Sequence, residues 1–363
     1  MRKWSTFLSI VSLSFIIVGC GESDETAGPE ESENGDDNGS EEVEETTADD
    51  NDAAAGEGED GEYTITFAHV VNPSTAKGEA AEYFGELMEE RSDGRVEVDI
   101  HPDSQLGSDR EITEQMQSGT IQMNAPFTGV LPQFVPQFQV FDLPYLFDDK
   151  DSAYDSMHGE MGEALNEYLS NEGLRALGYW DGGFKHFTNS ERAIEEPEDM
   201  DGLRMRASQS PLLSAQFDAL NAGGVSIDFA ELYTALQQGT VDGQENPLSN
   251  IVTQNFYEVQ DYMTYSEHGY MGYVLLISEE FYQELPDDLQ QMVEEVAEET
   301  GEWQWEQAQA AEEEYEQVLE EEDVETHELT EDQREQFIEA TEGVYDIFLE
   351  DVEDAEEILD LVE

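Results

Sequence analysis

From residue 63 onward the apolar positions follow two rhythms. Tyr63-Thr64-Ile65-Thr66-Phe67-Ala68 alternates with period two and predicts a strand. Ala80, Phe84, Leu87 and Met88 then recur at helical spacing within Ala76 to Glu90, until Ser92-Asp93-Gly94 breaks the run. Arg95 to Ile100 alternates again. Strand, helix and strand in that order predict a β-α-β unit, and with it an α/β fold carrying helices on the faces of a sheet.

Punctuation along the chain extends the picture. Ser108 and Glu111 form a capping box for a helix ending near Gly119, and Asp228 with Glu231 repeats the device for one ending at Gly239. Ser210-Pro211 opens another, since proline at the first helical position gives up an N–H that has no partner there anyway. Beyond Pro286, residues Asp287 to Glu320 form a long acidic stretch of helix formers, with Met292, Val293, Val296, Trp303 and Trp305 as its buried contacts. Two shorter helical patterns, Glu331 to Thr341 and Val344 to Leu361, complete the chain. No repeat of solenoid or propeller period is present.

The first sixty residues obey neither rhythm. Arg2 and Lys3 precede an apolar stretch from Phe7 to Val18, followed by Ile17-Val18-Gly19-Cys20. The stretch is short for a membrane span and suits the core of a signal peptide, residues 1–19. The tetrad resembles a lipobox, which predicts lipidation of Cys20. Gly21 to Glu62 contains no Lys or Arg and little that could form a core, so residues 20–61 read as a disordered acidic tether. A flexible chain of that length spans roughly 35 Å. Cys20 is the only cysteine of the chain, so no disulfide, thiol nucleophile or thiolate metal site is expected.

Of the 363 residues, about 300 remain for folding, which at roughly 100–200 residues per domain suggests two lobes. Charge changes the picture more. Thirteen basic residues face ninety acidic ones, a formal net charge of −77. Such a surface repels nucleic acid and anionic lipid headgroups, and no nucleic-acid partner is expected. Self-repulsion on this scale opposes compaction unless salt screens it, and at about 1 M the Debye length shrinks to about 3 Å. The composition therefore predicts a halophilic setting.

In so acidic a chain the rare cations are informative. Arg175, Lys185, Arg192, Arg204 and Arg206 crowd into one short window. Arg175, Arg192 and Arg204 are expected to pair with surface carboxylates. Lys185 follows Trp180-Asp181-Gly182-Gly183-Phe184, where a strand runs into a glycine turn, and Arg206 closes the alternating Gly202-Leu203-Arg204-Met205-Arg206. Loops at the ends of α/β strands are where such folds bind ligands, and a guanidinium there can hold a carboxylate through two parallel hydrogen bonds. Catalytic signatures are lacking. The six histidines (69, 101, 158, 186, 268, 327) show no His-x-x-x-His spacing, and there is no Gly-x-Ser-x-Gly elbow, phosphate loop or dinucleotide fingerprint. A binding protein without a cofactor or metal is expected, rather than an enzyme.

Several segments carry a resemblance to a known family. They are Ser104-Gln105-Leu106-Gly107 with Asp109-Arg110-Glu111, Phe141-Asp142-Leu143-Pro144-Tyr145-Leu146-Phe147, Gly202 to Arg206 with Gln209-Ser210-Pro211, and Phe229 to Gln237 running into Val241-Asp242-Gly243-Gln244-Glu245-Asn246-Pro247. In this order, and over nearly the whole folded region, the chain resembles the solute-binding proteins of tripartite ATP-independent periplasmic (TRAP) transporters. The resemblance implies a two-lobed periplasmic-binding-protein-like α/β fold with hinge strands and a long bracing helix, for which Asp287 to Glu320 is the candidate. It also implies lobe closure over a ligand and delivery to small and large permease subunits. The lobes are expected at 62–184 plus about 272–312, and at 185–271 plus about 313–363.

By position, the resemblance makes Arg206 the carboxylate clamp, Asn246 the pocket asparagine and Phe229 a pocket aromatic. Lys185 stands where many members carry a second arginine, and a lysine cannot make the bidentate fork. His69-Val70-Val71 with Lys77-Gly78, the Trp180 to Lys185 segment, and His268-Gly269-Tyr270 with Gly272-Tyr273 resemble the dicarboxylate-binding branch, which also shows the lysine. Lys185 and Arg206 as two cationic ends, with Lys77 nearby, would suit a C4-dicarboxylate such as malate, succinate or fumarate. His69 and Trp180 join the implied binding set. The alternatives are a receptor for another carboxylate (a 2-oxo acid or ectoine), an extracellular lipoprotein enzyme, and a receptor domain serving a sensor kinase.

Overall fold

The computed structural model describes residues 62–322 and 324–363. The expected signal peptide 1–19, Cys20 and the rest of the tether to residue 61 lie outside the described residues.

Two sheets organise the described residues. The first runs β2 (Val96–His101), β1 (Tyr63–Ala68), β3 (Met123–Asn124), β10 (Tyr270–Ser278), β4 (Leu174–Phe184). Its β1 pairs in parallel with β2 and β3, whereas β10 is antiparallel to β3 and β4. The second runs β11 (Glu325–Glu328), β9 (Tyr262–Tyr265), β5 (His186–Asn189), β8 (Gly243–Asn246), β6 (Arg204–Ala207), β7 (Gly223–Ser226). This is the mixed α/β architecture that the sequence pattern predicts.

Local chemistry explains the boundaries. The helix Ala76–Arg91 starts where Thr75 accepts a hydrogen bond from the Gly78 backbone, and it lays Ala80, Ala81, Phe84 and Met88 against β1 and β2. Gly78 cannot be larger, because a Cβ there would sit 2.6–2.8 Å from the backbone of Asn72 and Pro73. The Ser108–Glu111 capping box forms as expected, and its helix, Asp109–Gln117, ends just before Gly119, which takes a positive φ. All nine residues of β10 are buried, consistent with a strand covered on both faces.

Three connections join the sheets. Lys185 alone separates β4 from β5, and its backbone N–H donates to Gly269 O at 2.8 Å, within the 266–269 link between β9 and β10. The third is the long helix Asp287–Glu321, which leads to β11 and packs on the Ala76–Arg91 helix, on β4 and on the helix Leu248–Thr253 that follows β8. It is stitched to β4 by Gln304, which accepts from the Asp181 N–H (2.8 Å) and donates to the Asp181 carbonyl (2.7 Å), and by Trp305 Nε1 donating to Tyr179 O (3.0 Å).

Two expectations need correction. Asp228 precedes the helix Phe229–Gln237 but caps nothing with its side chain, because its carboxylate is taken by the Gln209 amide. Val344 to Leu361 is two helices, Gly343–Asp351 and Ala355–Leu359, since Val352 is extended and Asp354 adopts φ 62°. Among the described residues no helix is long and apolar enough to cross a membrane.

Candidate functional site

A cleft of about 570 Å³ opens between loops of the first sheet and strand ends of the second. Val70, Asp109 and Phe127 come from the first sheet's side, Arg206, Phe229 and Asn246 from the second, and Met271 and Tyr273 of β10 lie between.

Arg206 sits on β6, in register with Val225 of β7 and Gln244 of β8, and is 6% exposed. Its Nε donates to Ile227 O at 2.8 Å, which fixes the plane of the guanidinium. The terminal nitrogens make no hydrogen bond or ion pair among the described residues. Burial pulls its pKa down to about 10 against the pull of Glu245 and Asp228, so the group stays cationic at neutral pH. A fixed, desolvated guanidinium with free paired donors is suited to a carboxylate.

Asn246 ends β8, fully buried. Its Oδ1 accepts from Asn250 Nδ2 at 2.9 Å and its amide donates to Gln244, so one of its two N–H groups remains. Phe229 opens its helix and meets Phe256 edge-on with ring centroids 6.1 Å apart. These two and Arg206 are the sequence-predicted residues that line the cleft.

Lys185 does not line it. Its ammonium, 1% exposed, pairs with Glu245 Oε2 at 2.8 Å, and the same oxygen is 2.8 Å from His268 Nε2. His268 is held in turn by Ser266 (2.7 Å) and stacks on Phe187 at 3.7 Å. Burial alone would raise the Glu245 carboxyl, but Lys185 and His268 outweigh it and hold it down at about 2. Its ammonium lies 5.9 Å from the ring centroid of Phe127, which lines the cleft. Trp180 is likewise elsewhere, wholly buried against Phe67 beneath the long helix.

Lys77 and His69 stand behind the cleft wall. The Lys77 ammonium, 2% exposed, lies 4.1 Å over the ring of Tyr273, a cleft residue, and has no hydrogen-bond partner among the described residues. Burial lowers its pKa to about 8, resisted by Asp109. Neither ring nitrogen of His69 finds a partner, and burial next to Lys77 pushes its pKa down to about 3. Asp109, at the start of the capped helix, faces the cleft; burial raises its pKa, and its Oδ1 is unpaired. Sequence reasoning assigned no role to Asp109 or Tyr273, although both fall in segments that carried the resemblance. Among the described residues no group of three or more His, Cys, Asp or Glu is placed to hold a metal ion.

Two sheets joined by crossing strands, with an arginine-bearing cleft between them, make a two-lobed α/β architecture. The chain belongs to the bacterial extracellular solute-binding protein family 7, whose model matches residues 67–351. It is a TRAP-type solute-binding protein. The C4-dicarboxylate-binding periplasmic protein DctP of Rhodobacter capsulatus is 42% identical over 226 residues, 62% of this chain and 68% of that one. Among solved structures, a TRAP periplasmic solute-binding protein from Sulfurospirillum deleyianum with bound succinate matches with TM-score 0.80 and 38% identity, over 84% of this chain and 100% of that one. The sugar-acid-binding protein DctPAm from Advenella mimigardefordensis, in complex with galactonate, matches with TM-score 0.81 and 31% identity, over 84% and 99%.

Proposed function

We propose that this protein is the extracytoplasmic receptor of a TRAP transporter for C4-dicarboxylates, and that it delivers them to the permease. The carrying observation is Arg206, a buried guanidinium fixed through Nε and presenting unpaired terminal donors to the cleft. Two charge-assisted hydrogen bonds of roughly 1.5–3 kcal/mol each supply a large part of the ~8 kcal/mol behind micromolar binding. Asn246 would add an amide donor and Phe229 an apolar wall, while Lys185, paired with Glu245, would brace the strands without touching the ligand. The lobes proposed at 62–184 plus about 272–312, and at 185–271 plus about 313–363, would close over the acid. Cys20 would carry the lipid anchor, with residues 20–61 as tether. The succinate-bound and dicarboxylate-binding relatives support this ligand class.

A second reading, a sugar acid, is favoured by the galactonate-bound neighbour and by the hydroxyl-matching groups Ser104, Ser108 and Asp109 on the wall. Calorimetric titration in about 1 M salt, chosen for screening, separates the two. Succinate or malate should bind at micromolar levels and galactonate at least tenfold more weakly; the reverse order would remove the dicarboxylate reading. Arg206→Ala should abolish binding and keep the melting profile. A large drop in stability would instead make it a structural arginine.

A further inference from the structure

We propose that Gln209 is a positioning residue for the carboxylate clamp: its amide holds the Asp228 carboxylate off Arg206 and so leaves the guanidinium to the ligand. Asp228 is thereby an internal competitor of the bound acid, restrained while the two walls of the cleft are in contact. The inference rests on the carboxylate-receptor reading above and goes beyond it.

The competition follows from the path of the chain. β7 runs beside β6, and just past its end the Ile227 N–H donates to Ala207 O at 3.3 Å while Ile227 O accepts from Arg206 Nε at 2.8 Å. Asp228 is the next residue, and it lines the same cleft as Arg206. Opposite charges on one partly buried wall pair unless something holds them apart, because a charge-assisted hydrogen bond is the strongest that either group can make there. Among the described residues Arg206 and Asp228 do not pair. Asp228 Oδ1 accepts from Gln209 Nε2 instead. The other carboxylates near the clamp do not compete: Asp109 stands on the opposite wall, and Glu245 is committed to Lys185.

An ionised carboxylate only accepts, so it dictates the direction of the Gln209 amide, with the NH2 toward Asp228 and the carbonyl away from it. That carbonyl accepts from Gln133 Nε2 at 2.8 Å. Gln133 ends the 3₁₀ turn Thr128–Gln133, which follows β3 of the first sheet, whereas Gln209 and Asp228 follow β6 and β7 of the second. The three side chains form one hydrogen-bonded file from wall to wall. Gln209 also borders an outer groove with Gln133 and Arg110, so the file stands where the cleft meets that groove. Parting the walls breaks the Gln133 contact, frees the Gln209 amide to turn and lets Asp228 reach Arg206. The empty clamp is then covered by the protein's own carboxylate, which meets donors that are costly to leave bare, and an incoming acid has to displace it.

The test is calorimetric titration of the full chain with succinate in about 1 M salt. Gln209→Met keeps the length of the side chain without its amide and should weaken binding about 10- to 100-fold. Asp228→Asn added to it should restore at least the wild-type affinity, and alone should tighten binding about 2- to 10-fold. No loss in Gln209→Met, or weaker binding in Asp228→Asn, overturns the assignment. So does a loss that Asp228→Asn does not restore, which is what a direct contact between Gln209 and the ligand would give. Should Gln209→Met not fold, Gln133→Met decides by the same criteria, with a loss of about 3- to 10-fold that Asp228→Asn restores. A wild type that binds neither succinate nor galactonate removes the carboxylate reading instead. A crystal structure of the ligand-free Gln209→Met chain then decides: an Asp228 oxygen within about 3 Å of an Arg206 terminal nitrogen is expected, and Asp228 placed elsewhere overturns the proposal.

Discussion

Lys77 and Lys185 are buried to nearly the same depth, 2% and 1% exposed, yet their surroundings are opposite. Lys185 has a carboxylate at 2.8 Å that histidine and serine hold in place. Lys77 has an aromatic face and a group of unpaired polar atoms. Burial alone therefore does not mark a functional cation; what separates the two is whether the protein itself completes the hydrogen bonds. Lys185 belongs to the framework that ties strand to strand. Lys77 keeps its donors unmet among the described residues.

The largest test breaks the paired member. Glu245→Ala strands Lys185 in the interior and should cost about 3–5 kcal/mol in denaturant unfolding, whereas Glu245→Leu with Lys185→Met should recover most of that. A loss below 1 kcal/mol in the single variant would mean that water reaches the pair. Next, Lys77→Met without ligand should leave stability unchanged or raise it by up to about 1–2 kcal/mol, since it removes a buried charge with no partner. Loss of stability on that scale would erase the contrast between the two lysines.

A smaller effect concerns pH. Lys77 titrates at about 8 when folded and near 10.5 when unfolded, so the unfolded chain holds more protons between those values and stability should rise with pH across that window. Glu245 has the opposite history: lowered from 4.5 to about 2, it contributes stability above its unfolded value, and that contribution is lost as pH falls toward 2. Lys77→Met should flatten the alkaline limb of a melting-temperature profile and Glu245→Ala the acid limb. Smallest of all, Arg110→Gln removes an exposed pair with Glu114 four residues on and should change stability by no more than about 0.5 kcal/mol.

Local features were legible in the sequence because their causes are local. The strand Tyr63–Ala68, the Ser108–Glu111 box and the helix Glu331–Thr341 follow from period, cap and breaker within a few residues. Val344 to Leu361 read as one helix because its periodicity persists through Asp354, where only the backbone conformation reveals the break. At the site, Arg206, Asn246 and Phe229 were found through motif position, and the cleft brings them together. The division of labour between the lysines was not legible. Glu245 lies 60 positions from Lys185, one of ninety acidic residues, and no spacing rule connects them. Lys77 entered the binding set through motif position, but what distinguishes it from Lys185 is a set of missing partners that exists only once the chain has folded.

The single-residue crossover at Lys185 has a mechanical consequence. The passage from β4 to β5 is tied through its backbone to the returning 266–269 segment and through its side chain to β8. Two strands fastened side by side behave as a flat strap, which flexes easily across its thin dimension and strongly resists twisting within its plane. A swing of one sheet relative to the other would thereby be steered toward a single axis.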